Sequence, residues 1–266
     1  MKTPITYYGG KQKMLKHILP LIPEHKIYTE SFGGGAALLF AKEPAVVNVI
    51  NDLNGELVNF YRTLVSDYDA LKKEVEQTLN CRGQHEVAWF IYQYPEYFDK
   101  VKRAWAVWVL SKLGFSGQLS SSFGITKSRN EKCTRLINAK SHFCDDLKTF
   151  LEHCTIENDD ALSIIKRFDT EETLHFIDPP YIGSNMGHYK DMFNNGDFSE
   201  LIVNLKTIKG RFILTMYPNN YLEKSIEDEN WILYRLDRKA TASRTTRPDR
   251  EEWIVCNFMV EKDSGK

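Results

Sequence analysis

The 266 residues contain no apolar run approaching the roughly 20 residues that a helix needs to cross a bilayer, and the amino terminus has no signal-peptide pattern. These absences argue against helical membrane proteins and lead to the expectation of a cytoplasmic chain without a membrane partner. The five cysteines, Cys81, Cys133, Cys144, Cys154 and Cys256, are odd in number and form no C-x-x-C pair. Reduced thiols are therefore expected, and neither a zinc site nor any other metal. A formal net charge of −1 gives no excess of either sign. It neither supports nor excludes nucleic acid, since one cleft needs only a local basic face. Two phosphate-binding signatures are also missing. Around Gly9-Gly10-Lys11 the spacing and the Ser/Thr of a P-loop are absent, and no full G-x-G-x-x-G occurs, so a dinucleotide is not the obvious ligand. What remains is ordinary in bulk: 42% hydrophobic and 27% charged residues, enough for one large α/β domain or a domain with an insertion.

The chain is organised around His175-Phe176-Ile177-Asp178-Pro179-Pro180-Tyr181. Two prolines stop a strand because they fix φ and lack donors, so Asp178 and Tyr181 project from a stiff turn. Open α/β sheets place their chemistry at such carboxyl ends. A plain proline turn after an edge strand would read the same way, and only a matching ligand site elsewhere separates the two.

Upstream, Lys26–Glu30 predicts a strand, followed by Ser31-Phe32-Gly33-Gly34-Gly35 and an apolar helix from Ala36. Strand, glycine turn and helix open a nucleotide-type βαβ unit. A second strand over 45–50 ends in Asn51-Asp52-Leu53-Asn54, with Asp52 about twenty residues beyond the glycine turn, where a carboxylate hydrogen-bonds ribose hydroxyls. The segment Thr6–Lys13 is either a flexible turn or a close backbone approach with Lys11 as a mobile cation. Helical periodicity covers 55–79, and residues 85–115 are unusually aromatic. Residues 113–124 lack periodicity, which in a compact domain means function or disorder. The Ser, Gln, Lys and Arg of this stretch and its basic continuation (Ser116, Gln118, Ser121, Lys127, Arg129) suit phosphate and base-edge contacts.

The α/β rhythm resumes with a strand over 155–160, a helix over 161–168 and the strand 174–178. A mobile polar loop over 182–196 follows, then a helix over 198–208, a strand over 211–216 and a helix over 219–227. Strands over 232–236 and 253–260 close the chain as an antiparallel pair. Across residues 235–250, Arg235, Arg238, Lys239, Arg244, Arg247 and Arg250 stand with only two acids. Such a loop is either solvated or a phosphate-binding surface.

Taken together, the segments Tyr7-Tyr8-Gly9-Gly10-Lys11, Glu30–Ala36, Asn51–Asn54, Gly114-Phe115-Ser116-Gly117 and Asp178-Pro179-Pro180-Tyr181 resemble, in that order, the Dam-like D12 class of adenine-specific DNA methyltransferases (the alpha group of amino-methyltransferases). The resemblance implies a Rossmann-like α/β fold with a mostly parallel seven-stranded sheet. It implies a catalytic domain of residues 1–59 and 151–266 and an inserted helical DNA-recognition domain of residues 60–150. The implied reaction moves a methyl group from S-adenosylmethionine to adenine N6 in double-stranded DNA, after the base leaves the duplex.

By the same resemblance Tyr7 and Lys11 contact the cofactor, Phe32 and Gly34 line its methionine and sugar side, and Asp52 holds the ribose. Asp160 takes the cofactor's adenine amine, with Asp159 as the neighbouring alternative, and Asp178 borders the donor. Asp178, Pro179, Pro180 and Tyr181 form the catalytic turn; from the basic composition of the closing loop, apart from the resemblance, Arg244 and Arg247 are expected to contact DNA phosphates. A monomer is implied, in a bacterial cell or phage-infected host, with a cognate restriction endonuclease as a possible partner. Two departures stand out: Ala36 replaces the second glycine of F-x-G-x-G, and Ser116 replaces the Asn of Phe-Asn-Gly, without the Arg expected soon after. They leave the recognised sequence unassigned.

The carboxylate logic also serves N4 methylation of cytosine, although segment order and Asp at 178 favour adenine. Action on RNA or on protein glutamine fits less well, since such sites commonly open with Asn and lack this insert. From another class, a non-catalytic DNA-binding protein on a vestigial methyltransferase fold is opposed by the intact Lys11, Asp52 and Asp178–Tyr181 segments.

Overall fold

In the computed structural model, residues 1–125, 130–182, 193–238 and 250–260 are described. Seven strands form one sheet: β1 (Ile27–Glu30), β2 (Val47–Asn51), β3 (Cys154–Glu157), β4 (Thr173–Ile177), β5 (Arg211–Met216), β6 (Ile232–Arg238) and β7 (Arg250–Cys256). The order is β3-β2-β1-β4-β5-β7-β6. Pairs β2–β3, β1–β4 and β4–β5 are parallel, while β5–β7 and β6–β7 are antiparallel. The expected mostly parallel α/β sheet is thus present, with its reversal of strand order at β1–β4. Among the described residues no helix is long and apolar enough to cross a membrane.

The chain divides into two compact units, Met1–Lys16 with Gly33–Asp159, and His17–Phe32 with Asp160–Lys266. Within the first, the chain from Gly55 to Glu152 is mainly helical, with helices Gly55–Ser66, Tyr68–Gln77, Arg82–Gln93, Lys100–Leu113, Glu131–Ser141 and Asp145–Glu152. The single helix expected over 55–79 is two, because Asp67 leaves helical geometry (φ −141°, ψ 40°). The apolar periodicity runs across that break unchanged, so the pattern could not reveal it. Helix Lys100–Leu113 is the centre of this unit. Asp99 caps it by accepting from Val101 and Lys102 N–H, and every residue from Ala104 to Ser111 is buried. Trp105 Nε1 donates to Thr78 Oγ1 at 2.8 Å. The residues just after this helix are ordered by their own main chain: Phe115 N–H bonds Ser122 O and Gly124 N–H bonds Leu113 O, while Lys132 Nζ donates to Gly114 O.

In the second unit all five residues of β4 are buried, as a central parallel strand requires. Its register sets Ile177 beside Leu214 of β5, and Pro179-Pro180 ends it there. Leu201, Ile202 and Leu205 pack with Leu214, Met216, Trp253 and Val255 on one side of these strands. Their helix, Asn195–Leu205, starts earlier than expected because Asn194 and Asp197 form a reciprocal capping box. The expected loop over 182–196 lies mostly outside the described residues. At the closing pair, β7 stops at Cys256 rather than Val260. Asn257 turns its side chain inward instead, accepting from Phe212 N–H and donating to Gly210 O.

Ala36, which replaces a glycine of the familiar pattern, sits at φ 49° before the helix Ala37–Ala41. A left-handed residue with a Cβ is strained by about 1–2 kcal/mol. Its buried methyl returns about 0.8 kcal/mol. Ala36→Gly should therefore lie within about 1 kcal/mol of the parent in denaturant unfolding. A β-branched Val at this position should lower the midpoint clearly.

Candidate active site

In the first unit the glycine turn is tied down from several sides. Gly33 N–H donates to Asn51 O at the end of β2, at 2.7 Å. Gly34 stands at φ 48°; its N–H donates to Asp52 Oδ2 at 2.7 Å, and its carbonyl accepts from Tyr61 Oη at 2.8 Å. The ring of Tyr7 lies against it: a Cβ on Gly34 would stand 2.8 Å from Tyr7 Cδ1. The glycine is thus demanded by the protein's own tyrosine, and not solely by a ligand, as the sequence pattern suggested. Asp52 Oδ1 also accepts from Asn54 N–H at 2.8 Å. Burial raises the Asp52 pKa, against the pull of these two N–H groups. Lys11, expected as a mobile cation, is 4% exposed and donates to Gly9 O at 2.8 Å.

Residues that the sequence reading missed hold this loop in shape. The side chain of Asn51 exchanges two hydrogen bonds with the main chain of Asp159, and Asn158 Nδ2 donates to Asp52 O and Leu53 O. Asn54 Nδ2 reaches Tyr92 Oη at 2.9 Å. Only the amide-rich ends of the predicted strands hinted at such cross-bracing. In the same unit, Gln118 and Ser121 belong to the self-closed loop, where Ser121 Oγ donates to Gln118 O at 2.8 Å. Phe115 is exposed beside them. Ser116 lies in the turn Phe115–Gly117 and is described by its main chain alone. Lys127, Arg129, Arg244 and Arg247 lie outside the described residues.

The second unit carries the proline turn. Asp178 follows Ile177, which pairs with Leu214, so it stands level with Thr215 of β5. Thr215 Oγ1 donates to Asp178 Oδ1 at 2.7 Å. Tyr181 Oη donates to Glu252 Oε1 at 2.5 Å, and its ring meets that of Tyr217 edge-on, with centroids 4.5 Å apart. Burial first, then the charges of Asp178 and Glu252, push the Tyr181 phenol well above its ordinary pKa, so it remains a donor. Thr215, Tyr217 and Glu252 were not singled out in the sequence; the alternation of β5 and β7 would have been the only signal. Phe32 sits just after β1, edge-on to Phe193 at 5.7 Å. Asp160 is the cap of helix Ala161–Phe168, accepting from Leu162 and Ser163 N–H, which shortens the strand expected to run to residue 160. His175, within the opening stretch, is wholly buried, hydrogen-bonded to Thr29 Oγ1 and near Asp169.

Comparison with known proteins identifies the family. Residues 7–239 match the D12 class N6 adenine-specific DNA methyltransferase family. The chain is 26% identical to the type II methyltransferase M1.LlaDCHI of Lactococcus lactis subsp. cremoris, over 94% of this chain and 93% of that protein. It is 24% identical to the modification methylase StsI of Streptococcus sanguinis over 72% of this chain, which is 30% of that longer protein. A 63-residue stretch is 40% identical to the DNA N-6-adenine-methyltransferase of Escherichia phage P1, covering 24% of this chain and 8% of that one. With the family match spanning nearly the whole chain, the glycine turn, Asp52 and Asp178-Pro179-Pro180-Tyr181 belong to a member of the D12 class of N6 adenine-specific DNA methyltransferases.

Proposed function

We propose that this chain methylates adenine N6 in double-stranded DNA with S-adenosylmethionine as donor, through the residues described above. The observation that carries the reading is Asp178, ending a buried parallel strand on two prolines and oriented by Thr215. The first unit's residues fit the donor. Each Asp52 oxygen takes one main-chain N–H and, as a carboxylate oxygen, has a further lone pair for a ribose hydroxyl. Tyr7, Lys11 and Gly34 of this unit are assigned to the same cofactor by the resemblance, as are Phe32 and Asp160 of the second unit. When bound, S-adenosylmethionine supplies a methyl group already activated by the sulfonium, so no covalent enzyme intermediate is needed.

The protein's own task is to make a poor nucleophile attack. The adenine N6 lone pair is delocalised into the ring. The Asp178 carboxylate and the Pro179 carbonyl each accept one N6–H, which fixes the nitrogen and favours its pyramidal form. Pro180 keeps the turn rigid, and Tyr181 stacks on the extruded base. The N6 proton then leaves to Asp178 or solvent. Residues 60–150 act as the recognition insert, with Ser116, Gln118, Ser121, Lys127 and Arg129 toward DNA, and Arg244 and Arg247 bind phosphates. The enzyme works as a monomer in the cytoplasm, alone or beside a restriction endonuclease.

Asp178→Ala should abolish transfer of labelled methyl groups to DNA while calorimetry finds cofactor affinity nearly unchanged; normal turnover would end the proposal. Because the Asp52 pKa is raised, its accepting, ionised form is lost at a higher pH than for an ordinary aspartate. S-adenosylmethionine affinity should accordingly weaken as pH falls through that raised value, and Asp52→Asn should both weaken binding and remove this acid limb from a pH series of binding isotherms. Neutralising Arg244 and Arg247 together should lower affinity for all DNA sequences and flatten its dependence on salt by about 1 to 2 in slope. An unchanged slope would remove these two residues from the phosphate interface.

A further inference from the structure

Glu252 is an unusual occupant of its strand. It is 1% exposed, and the residues that follow it in β7 (Trp253, Ile254, Val255, Cys256) are apolar and buried. Taking a carboxylate out of water costs several kcal/mol, and an apolar side chain of similar volume would serve the sheet at least as well. Stability therefore does not account for it. The register does say where it points. Ile254 pairs with Thr215 and Trp253 with Met216, so strand alternation puts Glu252 with Ile254 on the Thr215 face, away from Met216, Trp253 and Val255. Across that face its Oε1 accepts the Tyr181 hydroxyl at 2.5 Å.

We propose that Glu252 is a positioning residue for methyl transfer, fixing the plane of the Tyr181 ring through its hydroxyl so that the ring presents one face to the target base. This rests on the stacking role given to Tyr181 above. A tyrosine has two soft side-chain torsions, and apolar contact alone leaves its ring free to tilt. Tethering the hydroxyl fixes the far end of the ring axis. Because a phenolic O–H prefers the plane of its ring, the fixed acceptor also favours one rotation about that axis, and Tyr217, edge-on at 73°, limits the rest. Thr215 treats Asp178 in the same manner, through one hydrogen bond to Oδ1. The two groups of the proline turn are therefore each oriented from the neighbouring antiparallel pair β5–β7, whose side chains need not touch substrate at all.

The test is a set of variants in the full chain: Glu252→Gln, Glu252→Met, Tyr181→Phe, the double variant Tyr181→Phe/Glu252→Met, and Tyr181→Ala. They are assayed with labelled S-adenosylmethionine on DNA that lacks adenine methylation. Glu252→Met fills the same volume without an acceptor and should lower kcat on the order of tenfold or more, with the KM for DNA within about twofold. Glu252→Gln, whose amide oxygen still accepts, should restore kcat to within about threefold of the parent. In the Tyr181→Phe background, Glu252→Met should bring no further loss, because the hydroxyl through which it acts is already gone.

Losses that multiply, a Gln variant as slow as the Met variant, or a raised KM with unchanged kcat would each overturn the assignment. Should Glu252→Met fail to fold, Tyr181→Phe alone must reproduce the kcat loss, and full activity there overturns the proposal. Tyr181→Ala separates the two levels of the claim. Full activity in Tyr181→Ala would remove the stacking role itself, whereas an impaired Ala variant beside an unimpaired Phe variant would remove Glu252 alone.

Discussion

Much of the second unit depends on how β4 is gripped. It pairs in parallel with β1 on one side and β5 on the other, and it is buried throughout. A strand held on both edges delivers whatever follows it at a fixed place, and here two prolines follow one residue later. The chain can neither continue the ladder nor bend freely, so Asp178 is set level with Thr215 by register alone. The reversal of strand order also falls at β1–β4, and β1 runs directly into Ser31 and Phe32. Parallel pairing, rather than any individual contact, explains why candidate site residues far apart in sequence emerge at the ends of these strands.

The first unit solves a different problem with different means. Its glycine turn is short of regular structure, so its main-chain groups must be satisfied one by one. Asn51, Asp52 and Tyr61 do this for Gly33 and Gly34, while Asn158 and Tyr92 brace the segment that carries Asp52 and Asn54. Side-chain amides and phenols here do the work that ladder hydrogen bonds do in the sheet. The cost is one residue, Ala36, in a left-handed conformation that glycine would adopt without strain.

Strand and helix identities are legible in the sequence because burial imposes a period: the pattern predicts a strand over 211–216, where β5 is observed, and a closing antiparallel pair, which β6 and β7 form. Boundaries were less legible, since they turn on single side chains whose partners are distant. Asn257 ends β7 by bonding to Gly210 and Phe212, and Asp67 breaks a helix whose apolar stripe continues past it. The motif residues were visible for the reason that motifs exist, namely rare residue types at fixed spacing. Their supports were not. Thr215 and Glu252 look like ordinary strand residues until the β5–β7 register is known, and Tyr61 looks like one more apolar position on a helix.

The loop that follows helix Lys100–Leu113 is closed almost entirely by main-chain bonds, from Leu113, Phe115, Ser122 and Gly124, with Lys132 binding a carbonyl. Such a closure is indifferent to most of the side chains it carries. Exposed side chains there take no part in closing the loop, so substituting them should change its outward chemistry and leave its shape in place. The frame and its lettering are set by different atoms.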